Sequence, residues 1–230
     1  MNRIRHDEVI PGDDQAALSV HEASADLSEA KSETERHHSQ TRKMAKIAIL
    51  SSIAFVLMLF EFPLPLMPGF LKFDFSEIAA LLAGFSMGPW AGITVELIKN
   101  LLHLPFTHTL MIGELANFLT SACFVGLASW IYSRNKTLRN ATLGMIVGTV
   151  ALIISGAIFN YFINIPFYIS VMGFPEEAIY GASQAAGNHM VHDMGSLILW
   201  VFVPFNLFKG AVISLIVRVI YKPLSPILHR

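Results

Sequence analysis

The sequence is poor in cysteine, in charge and in the short motifs that mark hydrolases. Cys123 is the single cysteine among 230 residues, so no disulfide framework or thiolate metal site forms within one chain. It lies in an apolar run, where a small core residue is the plain reading. There is no Walker A loop, no nucleophile elbow and no HExxH zinc-protease motif,. The chain is therefore not expected to be an enzyme, and any ATP-driven transport needs another subunit. Charged residues make up only 14% against 53% hydrophobic, with a mean hydropathy of +0.54. That balance lies outside the ordinary soluble range and points to the bilayer.

The little charge there is sits unevenly. Of 17 acidic residues, nine lie within residues 1–40, from Asp7 to Glu35. Residues 1–41 are polar and rich in Ser, Ala and His, and they hold too little apolar surface to order themselves. They contain no apolar h-region, so no cleavable signal peptide is read there. The expectation is a disordered or loosely helical cytoplasmic tail, with His37 and His38 solvated. Residues 42–230 form the membrane domain.

Six apolar segments follow the tail, at about 44–60, 76–88, 89–104, 111–133, 140–165 and 196–220. A full crossing needs about 20 residues, so the second and third are short. They are either one crossing broken at Gly88-Pro89 or two short helices joined by a tight turn. The positive-inside rule separates these readings. Arg42, Lys43 and Lys46 stand at the start of the first segment, Arg134, Lys136 and Arg139 follow the fourth, and Arg218, Lys222 and Arg230 stand at and beyond the end of the sixth. Six crossings put all three basic groups on the cytoplasmic side, with both termini inside. The loops 61–75, 105–110 and 166–195 then face outward, and the turn at Gly88-Pro89 faces inward.

Ionisable and amide groups inside spans are functional candidates. The stretch VELIKNLLH carries Glu96, Lys99, Asn100 and His103, with Glu96 and Lys99 on one helical face. Glu96 either contacts a ligand or closes an ion pair with Lys99. Glu114 and Asn117 open the fourth segment. Asn160 and Asn164 end the fifth, one turn apart among Phe159, Tyr161, Phe162, Phe167 and Tyr168. Amide groups beside aromatic rings suit a flat heterocycle, while an interfacial aromatic belt explains the tyrosines alone. Lys209 lies near the middle of the sixth segment, too deep to snorkel, and needs a carboxylate, carbonyl or ligand partner. Ala45, Ala48, Ser51 and Ser52 give the first segment a small-residue face that lets another helix approach. That helix belongs either to this chain or to a different membrane protein. His189, His192 and Asp193 are read as a helix cap before the sixth segment.

The segments FPLPLMPGFLKFDFSEIAALLAGFSMGPWAG, ELIKNLLH, GELANF, FNYFINIPFY and PFNLFKG together resemble the riboflavin-specific (RibU-type) S-components of energy-coupling factor (ECF) transporters. The resemblance covers nearly everything from residue 42 onward; the long acidic tail departs from it. It implies an all-α six-helix membrane bundle in a prokaryotic cell membrane that takes up riboflavin from outside, with the first loop over the binding pocket. It also implies partners: a transmembrane T-component and two cytoplasmic ABC ATPases. Ligand contacts would fall to Leu71, Lys72, Phe73 and Asp74 in the first loop, to Asn160 and Asn164, and to Lys209. Ala45, Ala48 and Ser52 would form the surface for the T-component. No cofactor or metal is implied, riboflavin being the transported ligand. The alternatives are an S-component for another vitamin, or a stand-alone secondary transporter of a small aromatic solute.

Overall fold

The computed structural model describes residues 13–107 and 109–228. The chain divides into two compact units, Met1–Ala45 and Lys46–Arg230. Residues 1–12 of the expected tail lie outside the described residues. From there on the tail is helical, the start of helix α1 (Asp13–Leu59). Its Ala, Glu, Lys and Gln content favours helix without supplying an apolar face, and residues 34–45 are exposed.

In the second unit, all six expected apolar segments appear in order. The apolar end of α1 leads into a loop containing a minimal antiparallel ladder, β1 (Phe62–Pro63) against β2 (Lys72–Phe73), in which Phe62 faces Phe73 and Pro63 faces Lys72. Two short helices follow, α2 (Glu77–Met87) and α3 (Pro89–His103). The break between them is Gly88, at φ 97 and ψ 167, a region open essentially to glycine alone. Pro89 then starts α3 at the one position where its missing N–H costs nothing. Of the two readings of this pair, the structure takes two helices and a tight turn.

Among the described residues, three helices are long and apolar enough to cross a membrane: α4 (Ile112–Arg134), the continuous run Leu138–Ser170 and the run Met194–Tyr221. Both runs are interrupted by one wide turn. In the first, α5 (Leu138–Phe159) passes through a π-turn at Asn160–Asn164 into α6 (Ile165–Ser170). In the second, α8 (Met194–Leu197) passes through a π-turn at Ile198–Phe202 into α9 (Val203–Leu228). The expected outward loop 166–195 is largely helical instead, because α6 extends into it and α7 (Glu176–Ala185) fills its middle. The alternation of Ala, Gly and Ser with Ile179 and Tyr180 hid a short amphipathic helix.

The helices pack through small residues. A β-carbon on Gly144 of α5 would stand 2.5 Å from the carbonyl oxygen of Ala128 in α4, and one on Gly148 would stand 2.7 Å from that of Phe124. This is close helix approach of the small-xxx-small kind. Around that seam Leu81, Phe85, Val95, Phe124, Met145 and Leu152 form the main core. A smaller cluster of Ile165, Ile179, Val191, Leu197 and Val201 ties α7 to the π-turns. The opposite face of α5 exposes Ile146, Val150, Ile154 and Ile158, each half open or more. A stripe repeating every fourth residue with no polar member is a surface made for lipid.

Chain direction sorts the two ends of the bundle. α3 ends and α4 begins at the end where the first loop lies, while the Gly88 turn and the Arg134–Arg139 connection lie at the other.

Candidate functional site

The loop between α1 and α2 closes one end of a cavity of about 280 Å³. Gly69, Phe70, Leu71 and Lys72 form its roof. α3 and α4 give one wall through His103, Glu114, Asn117 and Thr120; α5, its π-turn and α9 give the other through Asn160, Asn164, Asn206 and Lys209. Leu152, Phe202, Phe205 and Tyr168 supply apolar and aromatic surface between them. An apolar, partly aromatic cavity with few polar groups is the usual form of a small-molecule site.

The roof is fastened by packing and by charge. Phe73 is 1% exposed, with ring centroids of Phe75, Phe62 and Phe208 at 5.0, 5.6 and 5.6 Å. It is an anchor under the loop rather than a wall of the cavity. Lys72 pairs with Glu61 across the ladder, joining the two feet of the loop. Asp74 is buried; its Oδ1 accepts from the backbone N–H of Ser76 at 2.7 Å, and its Oδ2 lies 3.3 Å from Lys209 Nζ.

That contact is one edge of a buried charge network. Lys209 Nζ is 2.8 Å from Glu77 Oε1, and the same oxygen meets Lys99 Nζ at 3.1 Å and accepts from Ser121 Oγ at 2.9 Å. Lys99 pairs in turn with Glu96 Oε2 at 2.8 Å and with Ser76 Oγ. The network draws on the loop, α2, α3, α4 and α9, and ions removed from water need such partners. Glu77 is its hub. Sequence reasoning gave Glu77 no role; the signal was a carboxylate at the first turn of a helix otherwise apolar.

The amide wall owes its position to the π-turn. Asn164 Nδ2 donates to Asn160 Oδ1 at 2.9 Å, and Asn160 Nδ2 donates to the carbonyl of Gly156 at 2.7 Å. Asn206 Nδ2 donates to the carbonyl of Phe202 at 2.9 Å. Each amide is thereby fixed through its nitrogen. Among the described residues no hydrogen bond reaches the side-chain oxygens of Asn164 and Asn206, and both residues line the cavity.

Opposite stands a cluster that the sequence placed only in part. Glu114 Oε1 lies 3.1 Å from His103 Nδ1, and Oε2 accepts from Thr107 at 2.8 Å and Thr109 at 3.4 Å. Two successive left-handed residues, Leu110 at φ 49 and Met111 at φ 70, turn the chain into α4 here. The Thr107 hydroxyl accepts from Met111 N–H and the Thr109 hydroxyl from Gly113 N–H, which holds that strained turn,.

Of the eight expected ligand contacts, Leu71, Lys72, Asn160, Asn164 and Lys209 line the cavity. Phe73 and Asp74 lie behind the roof, and Glu96 is fully buried in its ion pair with Lys99. The pairing alternative for Glu96 is the one the structure takes. Ala48 and Ser52 are exposed on α1, as is Ala45, the last residue of the first unit. Asp193 and Ser196 form a reciprocal capping box at the start of α8, with Ser196 N–H donating to Asp193 Oδ1 at 2.7 Å,.

Residues 42–221 match the family of ECF transporter substrate-specific components. The chain is 37% identical over 191 residues to the riboflavin transporter RibU of Staphylococcus aureus, covering 83% of this chain and 94% of that one. It is 32% identical over 190 residues to the riboflavin transporter FmnP of Bacillus subtilis, covering 81% and 94%. A solved structure described as the S component of a bacterial ECF transporter superposes with a TM-score of 0.65 at 34% identity, covering 83% of this chain and 99% of that one. This chain belongs to the substrate-specific components of ECF transporters and is a multi-pass membrane protein.

Proposed function

We propose that this protein is the subunit that captures riboflavin outside the cell and hands it to the cytoplasm through an ATP-driven partner module. The observation that carries this reading is the roofed cavity between the amide wall and the Glu114 wall. Isoalloxazine is flat, apolar on its faces and polar along one edge. Phe70, Tyr168, Phe202 and Phe205 supply the flat apolar surfaces, while Asn164, Asn206 and Lys209 supply acceptors and a donor for the polar edge. Relatives named as riboflavin transporters support the choice of ligand.

Lys209 serves two masters in this account. Its ammonium holds Asp74 and Glu77 and also borders the cavity. A ligand carbonyl drawing on Lys209 weakens its hold on Asp74, and Asp74 sits next to the roof. Ligand occupancy and roof position are thereby linked, and opening the roof sets the rate of exchange. The chain carries no nucleotide-binding loop, so the energy comes from two ABC ATPases acting through a T-component, which docks on the exposed Ala48 and Ser52 face of α1,. Both termini lie in the cytoplasm, as the basic groups flanking the apolar segments require.

Uptake tests this proposal. A flavin-auxotrophic bacterium lacking its own transporter takes up labelled riboflavin when this chain is expressed with a T-component and its ATPases. Unlabelled riboflavin competes, whereas thiamine and biotin do not. Uptake without the partner module would favour a stand-alone transporter, and competition by another vitamin would favour a different S-component.

A further inference from the structure

The charge network beneath the roof does not balance. Asp74, Glu77 and Glu96 bring three carboxyl groups to it, while Lys99 and Lys209 bring two ammonium groups. All five are buried, and Glu77, Glu96 and Lys99 have no exposed surface at all. The other titratable groups on the packed elements do not make up the difference. Lys72 in the loop is held by Glu61, and His103, two turns beyond Glu96 on α3, faces Glu114. α4 turns the uncharged Asn117 and Ser121 to this side and carries Arg134 only in its last turn. α2 has no ionisable group besides Glu77, and Arg218 stands more than two turns past Lys209 on α9. An unbalanced charge in so dry a place is costly, and a buried ion without a full set of partners tends to neutralise.

The hydrogen bonds single out Glu96. Asp74 accepts from the Ser76 N–H and from Lys209, and Glu77 Oε1 accepts from Lys99, Lys209 and Ser121. Among the described residues, neither Glu96 oxygen receives a hydrogen bond. Lys99 Nζ stands 2.8 Å from Oε2 without the alignment of one, and donates to Ser76 and Glu77 instead. One turn on, Asn100 Nδ2 donates to the backbone carbonyl of Glu96 at 2.8 Å, and its buried Oδ1 has no donor either. One helical face thus carries three buried acceptors in want of a donor. A carboxylate adds a further acceptor there, whereas a carboxylic acid has an O–H to give. We propose that Glu96 is a proton-binding site, neutral in the folded protein at neutral pH, whose proton brings the network to zero net charge. Each chain takes the proton up from water as it folds, and the contact with Lys99 then joins an ammonium to a neutral carboxyl.

The proton bears on the cavity because Lys99 and Lys209 share Oε1 of Glu77. With Glu96 neutral, Asp74 and Glu77 balance both ammonium groups. A charge on Glu96 draws Lys99 away from Glu77, and Glu77 then draws harder on Lys209, which borders the cavity. Alkaline pH therefore weakens what Lys209 offers a ligand. That consequence rests on the flavin reading above; the proton itself does not. The effect on stability has a definite sign. The folded chain binds one proton that the unfolded chain, with Glu96 ionised, has lost, so stability falls as pH rises, by at most about tenfold in the folding equilibrium per pH unit. The fall ends once Glu96 is ionised in the folded chain as well.

Infrared spectroscopy of the flavin-free full chain, in a maltoside detergent that has no ester carbonyl, reads the proton directly. At neutral pH the wild type should show a protonated-carboxyl C=O band that shifts in heavy water. Glu96→Gln, which keeps the shape and a donor, should lose the band, and Glu114→Gln should keep it. A wild type without the band, or a band lost in Glu114→Gln alone, overturns the site whether or not Glu96→Gln folds. Unfolding titrations from mildly acidic to alkaline pH give a second reading. The wild type should lose stability relative to Glu96→Gln as pH rises, and parallel curves overturn the proposal. Stability set by sodium or potassium concentration instead of pH would mark a metal-cation site and overturn it too. Riboflavin affinity should fall at alkaline pH in the wild type and not in Glu96→Gln; equal falls overturn the link to Lys209. A wild type that shows the band and binds no riboflavin keeps the proton site and removes the flavin reading.

Discussion

Lys209 and Asp74 stand 135 positions apart in the chain and meet at 3.3 Å beneath the cavity roof. The contact joins the last long helix to the loop that covers the site. Both groups are nearly dehydrated. Removing one partner leaves the other charge buried and exposed to the full cost of desolvation, which is on the order of 3–5 kcal/mol.

Lys209→Met should therefore lower stability in a detergent unfolding titration by a few kcal/mol, on the order of the buried-pair cost, and weaken riboflavin binding as well. Asp74→Asn combined with Lys209→Met should cost much less than the sum of the two single changes. Additive costs would mean that the pair acts as two independent groups.

Glu77 and Glu96 should separate cleanly. Glu77 Oε1 receives Lys99, Lys209 and Ser121, whereas Glu96 meets Lys99 alone and lies away from the cavity. Glu77→Gln should destabilise the protein strongly, and Glu96→Gln should leave riboflavin affinity within about threefold. Thermal melting and flavin titration on the same two preparations check both statements.

The roof anchor makes a kinetic prediction. Phe73 is buried among three other phenylalanine rings and is not itself one of the residues that line the cavity. Phe73→Ala removes an aromatic core side chain, worth about 3–5 kcal/mol, from the loop's fastening. Stopped-flow release of bound flavin should speed up more than capture slows, since binding changes in one site act mostly on dissociation.

Gly88 offers a test of the helical hairpin that does not touch the site. A β-carbon there meets nothing within 4 Å, yet the backbone stands at φ 97. Gly88→Ala should cost about 1–3 kcal/mol of stability through strain alone and leave flavin affinity unchanged. A fully neutral substitution would argue that the α2–α3 turn takes another form.

Much of this was legible in the sequence, for identifiable reasons. Hydropathy located all six segments, and glycine followed by proline at 88–89 placed the turn between the short pair. Lys209 announced itself because an ammonium deep in an apolar run has to find a partner. Its partners, Asp74 and Glu77, were not readable, since pairs so distant in sequence have no local spacing. The same limit hid the shared role of His103, Glu114, Thr107 and Thr109, four residues on two helices and a turn. The π-turn at Asn160–Asn164 leaves no periodic trace either, because one wide turn shifts the register by a single residue. The resemblance gave Phe73 a ligand contact together with its loop neighbours; burial is what distinguishes an anchor from a wall.

The central claim is that a flavin sits beneath the 61–75 loop, and titration of the purified, flavin-stripped protein with riboflavin tests it most directly. The account predicts saturable quenching of riboflavin fluorescence with one ligand per chain, and slowed amide exchange across residues 61–75 once the site is filled. Unquenched riboflavin, or quenching with no protection of that loop, would contradict it.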